Sequence, residues 1–219
     1  MATIYIIGDS TVDNNKPPFR GWGWAIQEYV REGITVSNHA LSGRSSKSFL
    51  DQKLFEPVEK AMTQGDLLLI QFGHNDEKVD EARHTDPDST FPENLKFICD
   101  AALAKGAQPV LVTPVCRRYF LGDGDLLYTH GEYPAAIRKL ASENGIPLCD
   151  LKQMSRELFL RLGPELTEKL FVVLEKGRHP NFPDGHNDQT HFNAIGAAVM
   201  AKLVANCLRK MDCCEGFFL

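Results

Sequence analysis

Three residues of this sequence are of the types that carry out nucleophilic acyl transfer. Ser10 lies in a Gly-Asp-Ser-Thr turn directly after a short apolar run. Asp188 and His191 stand three residues apart near the other end of the chain. That spacing lets the carboxylate hydrogen-bond one ring nitrogen of His191, while the other nitrogen stays free to take a serine proton. Ser10, His191 and Asp188 are therefore predicted as nucleophile, base and orienting group.

Suitable donors for a developing oxyanion occur after two further apolar runs. Gly43 follows the run at 35–38, and Asn75 follows the run at 67–71. A tetrahedral intermediate of acyl transfer needs hydrogen-bond donors that are already in place. The backbone N–H groups of Ser10 and Gly43 and the side-chain amide of Asn75 are of the right kinds, and we predict that they form an oxyanion hole.

Each of these segments also has an ordinary structural explanation. A Gly-Asp-Ser turn is commonly only a turn, and Gly43 and Asn75 could be simple loop residues. Asp188 and His191 could cap a helix, or they could bind a metal ion together with Asp184 and His186. The metal interpretation is disfavoured because no second ligand group closes the coordination sphere. The joint presence of nucleophile, base, orienting group and oxyanion donors favours a catalytic site.

The elements that must position these residues can be predicted from apolar patterning. Short apolar runs at 3–7, 35–38, 67–71, 109–113 and 147–149 are continuous and not alternating. This pattern is typical of parallel strands covered on both faces by helices. The sequence therefore predicts an open, doubly wound α/β domain, in which ligands bind beyond the carboxyl ends of the strands.

Helices are predicted between the strands from the spacing of apolar residues. One has its apolar face at positions 95, 98, 99, 102 and 103, with a capping box of Thr90 and Glu93 at its start. A second, around 136–141, ends at Asn144-Gly145. A last helix carries apolar residues four apart from 195 to 207.

Composition and charge exclude several classes of protein. The 219 residues, 43% of them hydrophobic, fit a single domain spanning 1–219, and the net charge of −5 lacks the basic footprint of a nucleic-acid binder. No apolar run is long enough to span a bilayer, so no membrane partner is expected. Neither dinucleotide-binding nor P-loop glycine motif occurs, which argues against a nucleotide-binding domain.

The six cysteines show no zinc-type pair and are interpreted as reduced thiols of a cytoplasmic protein. The start of the chain has no basic n-region, which also favours a cytoplasmic location. The apolar tail after Cys213-Cys214 is expected to dock on its own domain. A dimer contact is the alternative, so a monomer or a homodimer is expected.

Taken together, these motifs resemble the SGNH (GDSL-type) hydrolase superfamily, whose four blocks occur here in order. They are Gly8-Asp9-Ser10, Gly43, Gly73-His74-Asn75-Asp76 and Asp188-x-x-His191. Within the superfamily, the chain is most similar to rhamnogalacturonan acetylesterases. The segments that carry this similarity are Gly8-Asp9-Ser10-Thr11, Gly21-Trp22-Gly23-Trp24, Gly43-Arg44-Ser45-Ser46, Gln71-Phe72-Gly73-His74-Asn75-Asp76, Thr113-Pro114-Val115-Cys116-Arg117-Arg118 and Asp188-Gln189-Thr190-His191-Phe192.

The resemblance implies a flavodoxin-like three-layer α/β/α sandwich with a central parallel five-stranded sheet. It implies ester hydrolysis without a metal or other cofactor, by the catalytic residues and oxyanion donors named above. The implied reaction is removal of acetyl groups from acetylated, pectic oligosaccharides. The alternatives are acetylxylan or another short-chain acyl ester as the substrate and, from a different class, a non-catalytic carbohydrate-binding relative. Pectin-degrading esterases of this family are often exported, whereas this chain shows no secretion signal.

Five further side chains are expected to contact the substrate. They are Arg44, His74, Arg117, Arg118 and Trp22. The guanidinium groups could bind uronate carboxylates in a bidentate manner, or they could form structural ion pairs. Trp22, like Trp24, could stack on a sugar ring or pack inside the protein. The loops at 115–133 and 175–183 are expected to border the substrate groove.

Overall fold

The computed structural model describes residues 2–219 and is built around a five-stranded parallel sheet. Its strands are β1 (Thr3–Gly8), β2 (Thr35–Asn38), β3 (Leu67–Gln71), β4 (Gln108–Val112) and β5 (Leu148–Cys149). They lie in the order β2-β1-β3-β4-β5, and every neighbouring pair is parallel. This is the strand order of a flavodoxin-like sheet, so the predicted fold class is confirmed.

Both faces of the sheet are buried, which explains why its strands have continuous apolar sequences. In β1, Ile4 and Ile6 pack into one hydrophobic cluster, whereas Tyr5 and Ile7 pack into a second cluster on the other face. The alternation follows from the two-residue period of a strand. All five predicted strands are present, and their ends differ from the prediction by one residue at most.

Seven α-helices are found among the described residues. They are α1 (Trp22–Ala25), α2 (Ser46–Asp51), α3 (Glu56–Ala61), α4 (Thr90–Ala104), α5 (Tyr133–Asn144), α6 (Leu151–Glu168) and α7 (Ala194–Leu208). The three predicted helices correspond to α4, α5 and α7, and α5 ends as expected at Gly145, with φ 62°. The predicted capping box is wrong, because Ser89 precedes α4 and the Thr90 hydroxyl instead accepts a hydrogen bond from Asp86 N.

A small antiparallel sheet lies outside the main sheet and was not predicted. It consists of β6 (Phe171–Leu174) and β7 (His186–Phe192). Phe171 and Phe192 pair across it and are buried, which joins the small sheet to the core. Asp188 and His191 therefore lie on a strand. Asn193 caps the following helix, its side chain accepting a hydrogen bond from Gly196 N at 3.0 Å.

The C-terminal tail packs on its own domain, as expected from the sequence. Phe218 is buried, and its carbonyl accepts a hydrogen bond from Arg31 Nε at 2.9 Å. Leu219 N donates to Tyr29 O at 2.9 Å. The six cysteines are free thiols, as predicted. Within residues 2–219, no helix has the length and apolar character needed to cross a bilayer.

Candidate active site

A continuous line of hydrogen bonds joins the three residues predicted to carry the chemistry. Ser10 Oγ lies 2.9 Å from His191 Nε2, and His191 Nδ1 lies 2.9 Å from Asp188 Oδ2. The other carboxylate oxygen of Asp188 accepts hydrogen bonds from Thr190 N at 2.7 Å and from His191 N at 2.8 Å. The backbone of β7 thus fixes the carboxylate beside the imidazole.

The charge of Asp188 determines which nitrogen of His191 carries the proton. Burial alone would raise the pKa of Asp188, but the hydrogen bonds from His191 and the charge of that imidazole when it is protonated hold it well below its usual range. An ionised carboxylate only accepts hydrogen bonds, so His191 Nδ1 must donate to it. His191 Nε2 then carries the lone pair and can accept the Ser10 proton.

These residues meet at the carboxyl ends of the strands, around an open cavity of about 380 Å³. Ser10 follows β1, Gly43 follows β2 and Asn75 follows β3. The cavity is lined by Ser10, Asn15, Phe19, Ser42, Gly43, Asn75, His186, Asp188 and His191. The topology thus brings the three predicted catalytic residues and the three predicted oxyanion donors to one place.

The predicted oxyanion donors have hydrogens available for a ligand. Within residues 2–219, neither Ser10 N nor Gly43 N donates a hydrogen bond to another protein group. Asn75 Nδ2 donates one hydrogen to Arg44 O at 3.0 Å, which leaves its second hydrogen free. The arrangement is suited to stabilising negative charge on an oxygen beside Ser10.

Sequence reasoning missed the residues that hold the Ser10 turn against the loop after β2. Asn15 Nδ2 donates to Ser10 O at 2.8 Å, and Ser42 Oγ lies 2.6 Å from Asn15 Oδ1. Asp13 Oδ2 accepts from both the N–H and the hydroxyl of Ser42, at 2.9 and 2.8 Å. No motif marks these residues, because their roles depend on contacts between two loops that are distant in sequence.

Asp9, the residue before Ser10, is fully buried. Its Oδ1 accepts hydrogen bonds from Thr11 N at 2.9 Å and Thr11 Oγ1 at 2.8 Å. Its Oδ2 has no hydrogen-bond partner among the described residues. Burial raises the pKa of Asp9 to about 6, although the two hydrogen bonds from Thr11 act in the opposite direction.

A model of the GDSL-like lipase/acylhydrolase family matches residues 6–199 of this chain. The chain belongs to this family. As a GDSL-like hydrolase, it is a serine ester hydrolase, in agreement with the chemistry expected from its sequence.

Several relatives of this GDSL-like hydrolase come from Bacillus subtilis (strain 168). Rhamnogalacturonan acetylesterase RhgT is 43% identical over 211 residues, which cover 95% of this chain and 90% of RhgT. The probable rhamnogalacturonan acetylesterase YesY is 35% identical over 95% of this chain and 93% of its own length. The crystal structure of YxiM superposes with a TM-score of 0.82 at 29% identity, covering 95% of this chain. The match covers 56% of the YxiM chain, so this hydrolase spans about half of that protein.

Two aromatic side chains of the GDSL-like site were not predicted as part of it. His186 Nε2 lies 3.2 Å from Asp188 Oδ2, so this carboxylate oxygen contacts two imidazoles. The Phe19 ring lies edge-on to His191, at 5.7 Å between centroids, and edge-on to His186, at 5.8 Å. Phe19 and His186 thus form an aromatic wall beside His191 and Asp188.

Neither Trp22 nor His74 lines the cavity. Trp22 is fully buried, and its Nε1 donates to Gln71 Oε1 at 2.8 Å. For Trp22, the alternative of packing inside the protein fits this burial, and a substrate contact stays a prediction. His74 is only 3% exposed and hydrogen-bonds His130, so its burial disfavours the predicted substrate contact.

Of the three arginines predicted to bind substrate, two are engaged in ion pairs. Arg117 pairs with Glu77, and Arg118 Nη1 lies 3.0 Å from Glu168 Oε2. Arg118 also donates to Asn187 Oδ1 at 2.6 Å, which ties it to β7. For these two arginines, the alternative of structural ion pairs fits the contacts. Arg44 differs, because Gln52 Oε1 and Ser42 O, both uncharged, accept its hydrogen bonds at 3.0 Å.

The acidic and histidine residues around β7 do not assemble as metal ligands. The exposed Asp184 lies 3.6 Å from Lys176 Nζ, and Asp188 is engaged by His186 and His191. In the part of the chain that the structure describes, no three His, Cys, Asp or Glu side chains are grouped to hold a metal ion.

Proposed function

We propose that this protein removes acetyl groups from acetylated pectic oligosaccharides, derived from rhamnogalacturonan, through an acyl-enzyme formed on Ser10. The observation that carries the proposal is the hydrogen-bonded line from Ser10 through His191 to Asp188 at an open cavity. The choice of sugar rests on the 43% identity to RhgT over 95% of the chain.

The reaction proceeds in two acyl transfers. Ser10 Oγ attacks the acetyl carbonyl carbon while its proton passes to His191 Nε2. The bond from the carbonyl carbon to the sugar oxygen then breaks, and His191 returns the proton to the leaving sugar hydroxyl. A water molecule, deprotonated by the same nitrogen, attacks the acetyl-serine, and acetate leaves as Ser10 recovers its proton. Asp188 stabilises the imidazolium that forms in each half-reaction.

Three donors stabilise the negative charge on the carbonyl oxygen in both half-reactions. They are Ser10 N, Gly43 N and Asn75 Nδ2, each with a hydrogen not used within the protein. Their positions are fixed before substrate binds, so no reorganisation is needed as the charge develops.

Arg44 is the residue best suited to bind the carboxylate of a uronate in the substrate. It follows Gly43 directly, and no acidic side chain among residues 2–219 forms an ion pair with it. A guanidinium group matches a carboxylate in a bidentate geometry. Arg44→Gln should therefore raise the KM for uronate-bearing substrates and leave that for 4-nitrophenyl acetate unchanged. An equal change for both substrates would contradict this role.

The proposal is tested by acetate release from acetylated rhamnogalacturonan and acetylated xylo-oligosaccharides measured side by side. Ser10→Ala serves as the blank. Release from the pectic sample alone, abolished by the substitution, is the expected result. Release from the xylan sample alone would overturn the choice of sugar and leave the chemistry intact. Release from neither sample, nor from short acyl esters, would favour a carbohydrate-binding protein.

The cytoplasmic location and the monomeric or dimeric state stay predictions from the sequence. Oligosaccharides taken up by the cell would be the natural substrates of a cytoplasmic esterase. Activity found in the culture medium would contradict that location. Light scattering of the purified protein would determine the oligomeric state.

A further inference from the structure

A chain of three buried basic side chains lies beneath the turn that carries Asn75. Lys152 Nζ lies 2.9 Å from His130 Nδ1, and His130 Nε2 lies 2.7 Å from His74 Nδ1. Lys152 and His130 are each 1% exposed, and His74 is 3% exposed. The hydrogen-bonded side chains end at His74, directly before Asn75. The reaction described above makes no use of Lys152, His130 or His74.

The ammonium group of Lys152 determines which atom donates in each hydrogen bond from Lys152 through His130 to His74. An ammonium only donates hydrogen bonds, so His130 Nδ1 must accept and the His130 proton must lie on Nε2. That proton is donated to His74 Nδ1, which places the His74 proton on its own Nε2, a buried nitrogen with no hydrogen-bond partner among the described residues. Each imidazole is thereby held in a single tautomer and a single ring orientation.

Lys152 has contacts suited to a cation but no carboxylate partner. Besides His130, its ammonium donates to Thr129 Oγ1 at 3.1 Å and lies 5.2 Å from the centre of the Tyr128 ring. No ion pair of Lys152 is found in the described part of the chain. Burial lowers the pKa of Lys152 to about 8 and those of both imidazoles well below their usual range. At neutral pH, Lys152 is therefore a cation, and His130 and His74 are neutral imidazoles.

The turn from Gly73 to Asp76 is also held by hydrogen bonds on the side away from His130. Gly73 has φ 129°, and its N–H donates to Asp76 Oδ2 at 2.9 Å. Asp76 Oδ1 accepts from Ser46 N at 2.9 Å and Ser46 Oγ at 2.6 Å. A Cβ on Gly73 would lie 3.0 Å from Pro114 Cγ, so the turn has little room to shift. His74 and Asp76, the two neighbours of Asn75, are thus each held by buried hydrogen bonds.

We propose that Lys152 is a positioning residue that acts through His130 and His74 to hold Asn75 in the oxyanion hole. This inference rests on the proposed function, because it takes Asn75 to be an oxyanion donor. Without the ammonium, His130 Nδ1 keeps only Thr129 Oγ1, at 3.0 Å, and a hydroxyl can donate or accept. His130 can then adopt either tautomer, so its hydrogen bond to His74 loses its fixed direction. The amide of Asn75 then loses its fixed position, while the cavity that binds the ester is unchanged.

A double-mutant cycle on the full chain tests whether Lys152 acts through Asn75. The variants are Lys152→Met, Asn75→Ala and the double variant, assayed with 4-nitrophenyl acetate. Lys152→Met alone should lower kcat by about tenfold with KM unchanged, and it should have no further effect in the Asn75→Ala background. Additive losses of kcat would overturn the proposal. Exposed Lys105→Met is the matched control.

The tautomers of the wild-type imidazoles give a second test that requires no variant. Nitrogen-15 NMR of histidine-labelled protein at pH 7 should show protonated Nε2 and unprotonated Nδ1 for both His74 and His130. A proton on Nδ1 of either residue would overturn the proposal, even if Lys152→Met failed to fold. If Asn75→Ala left kcat unchanged, Asn75 would have no role as an oxyanion donor. If Asn75→Ala lowered kcat and Lys152→Met did not, only the role of Lys152 would be wrong.

Discussion

Asn75 Nδ2 donates a hydrogen bond to the carbonyl oxygen of Arg44 at 3.0 Å. This bond joins the loop after β3 to the loop after β2, the two loops that contribute Asn75 and Gly43 to the cavity. It fixes which end of the amide is the nitrogen, and it leaves one N–H for a ligand. Together with the two hydrogen bonds from Ser46 to Asp76, it sets the relative positions of two of the predicted oxyanion donors.

Removing the amide should impair catalysis with little effect on folding. Asn75→Ala should lower kcat by about 10²–10³, because one oxyanion donor is lost. Its free energy of unfolding should fall much less than that of a core variant, since Asn75 lies at the wall of the cavity. Steady-state kinetics with an acetyl ester and urea unfolding are the measurements. Asn206→Ala, on α7, is the control, and a kcat equal to that of the wild type would remove Asn75 from the oxyanion hole.

Catalysis should require both the charge of the Asp188 carboxylate and the tautomer that it imposes on His191. Asp188→Asn should lower kcat by about 10⁴, as the corresponding change does in serine proteases, because an amide can donate to His191 Nδ1 and reverse the tautomer. Single-turnover measurements of acetate release would check this. The matched control is Asp184→Asn, at an exposed residue that faces Lys176. A loss of less than tenfold would contradict the role assigned to Asp188.

The burial of Trp22 predicts an effect on stability and none on substrate affinity. Trp22→Phe leaves Gln71 Oε1 without its donor in a buried site, which should cost about 1–3 kcal/mol. KM for acetylated oligosaccharides should stay the same. Urea unfolding and steady-state kinetics would check both statements. Trp24→Phe, at a residue that is 41% exposed, should cost less. A raised KM with unchanged stability would favour Trp22 as a substrate contact.

The raised pKa of Asp9 predicts a specific dependence of the free energy of unfolding on pH. Burial raises its pKa to about 6, so between about pH 4 and 6 the folded protein holds a proton that the unfolded chain has released. Stability from this group is therefore present at low pH and is lost as the pH rises through 6. From pH 4 to 7, the free energy of unfolding of the wild type should fall by about 2 kcal/mol more than that of Asp9→Asn.

Urea unfolding of both proteins at pH 4, 5, 6 and 7 would measure this difference. Burial also raises the pKa of Asp76 to about 6, and Asp76 titrates in both proteins. Because the charge of Asp76 contributes to the raised pKa of Asp9, the difference between the two curves includes the interaction of these carboxyl groups. Asp100→Asn, on the exposed side of α4 where Asp100 pairs with Lys96, is the control and should follow the wild type. Parallel curves for wild type and Asp9→Asn would contradict the raised pKa.

The sheet could be predicted from the sequence because both of its faces are buried and its strands are continuously apolar. The small sheet of β6 and β7 could not, since His186 to His191 are mostly polar residues with low strand propensity. Only the apolar run Phe171–Leu174 gave a signal for it. Ser10, His191 and Asp188 could be predicted to meet because their side-chain types, and the spacing of Asp188 and His191, are those that acyl transfer needs.

The substrate contacts were harder to predict, because the partners of these side chains are distant in sequence. Arg118 meets Glu168, fifty positions away, and His74 meets His130. Whether a guanidinium or imidazole is free for a ligand depends on such partners, and no local pattern reveals them. Arg44 could be separated from Arg117 and Arg118 only after the ion pairs were known.

The most direct test of the central claim is to trap the acetyl group on the enzyme. The protein is mixed with an acetyl ester, quenched in acid within milliseconds, digested and analysed by mass spectrometry. We expect one acetyl group on the peptide that contains Ser10, and none on that peptide from Ser10→Ala. An acetyl group on another residue that forms and decays at the rate of turnover, or full turnover by Ser10→Ala, would contradict the mechanism.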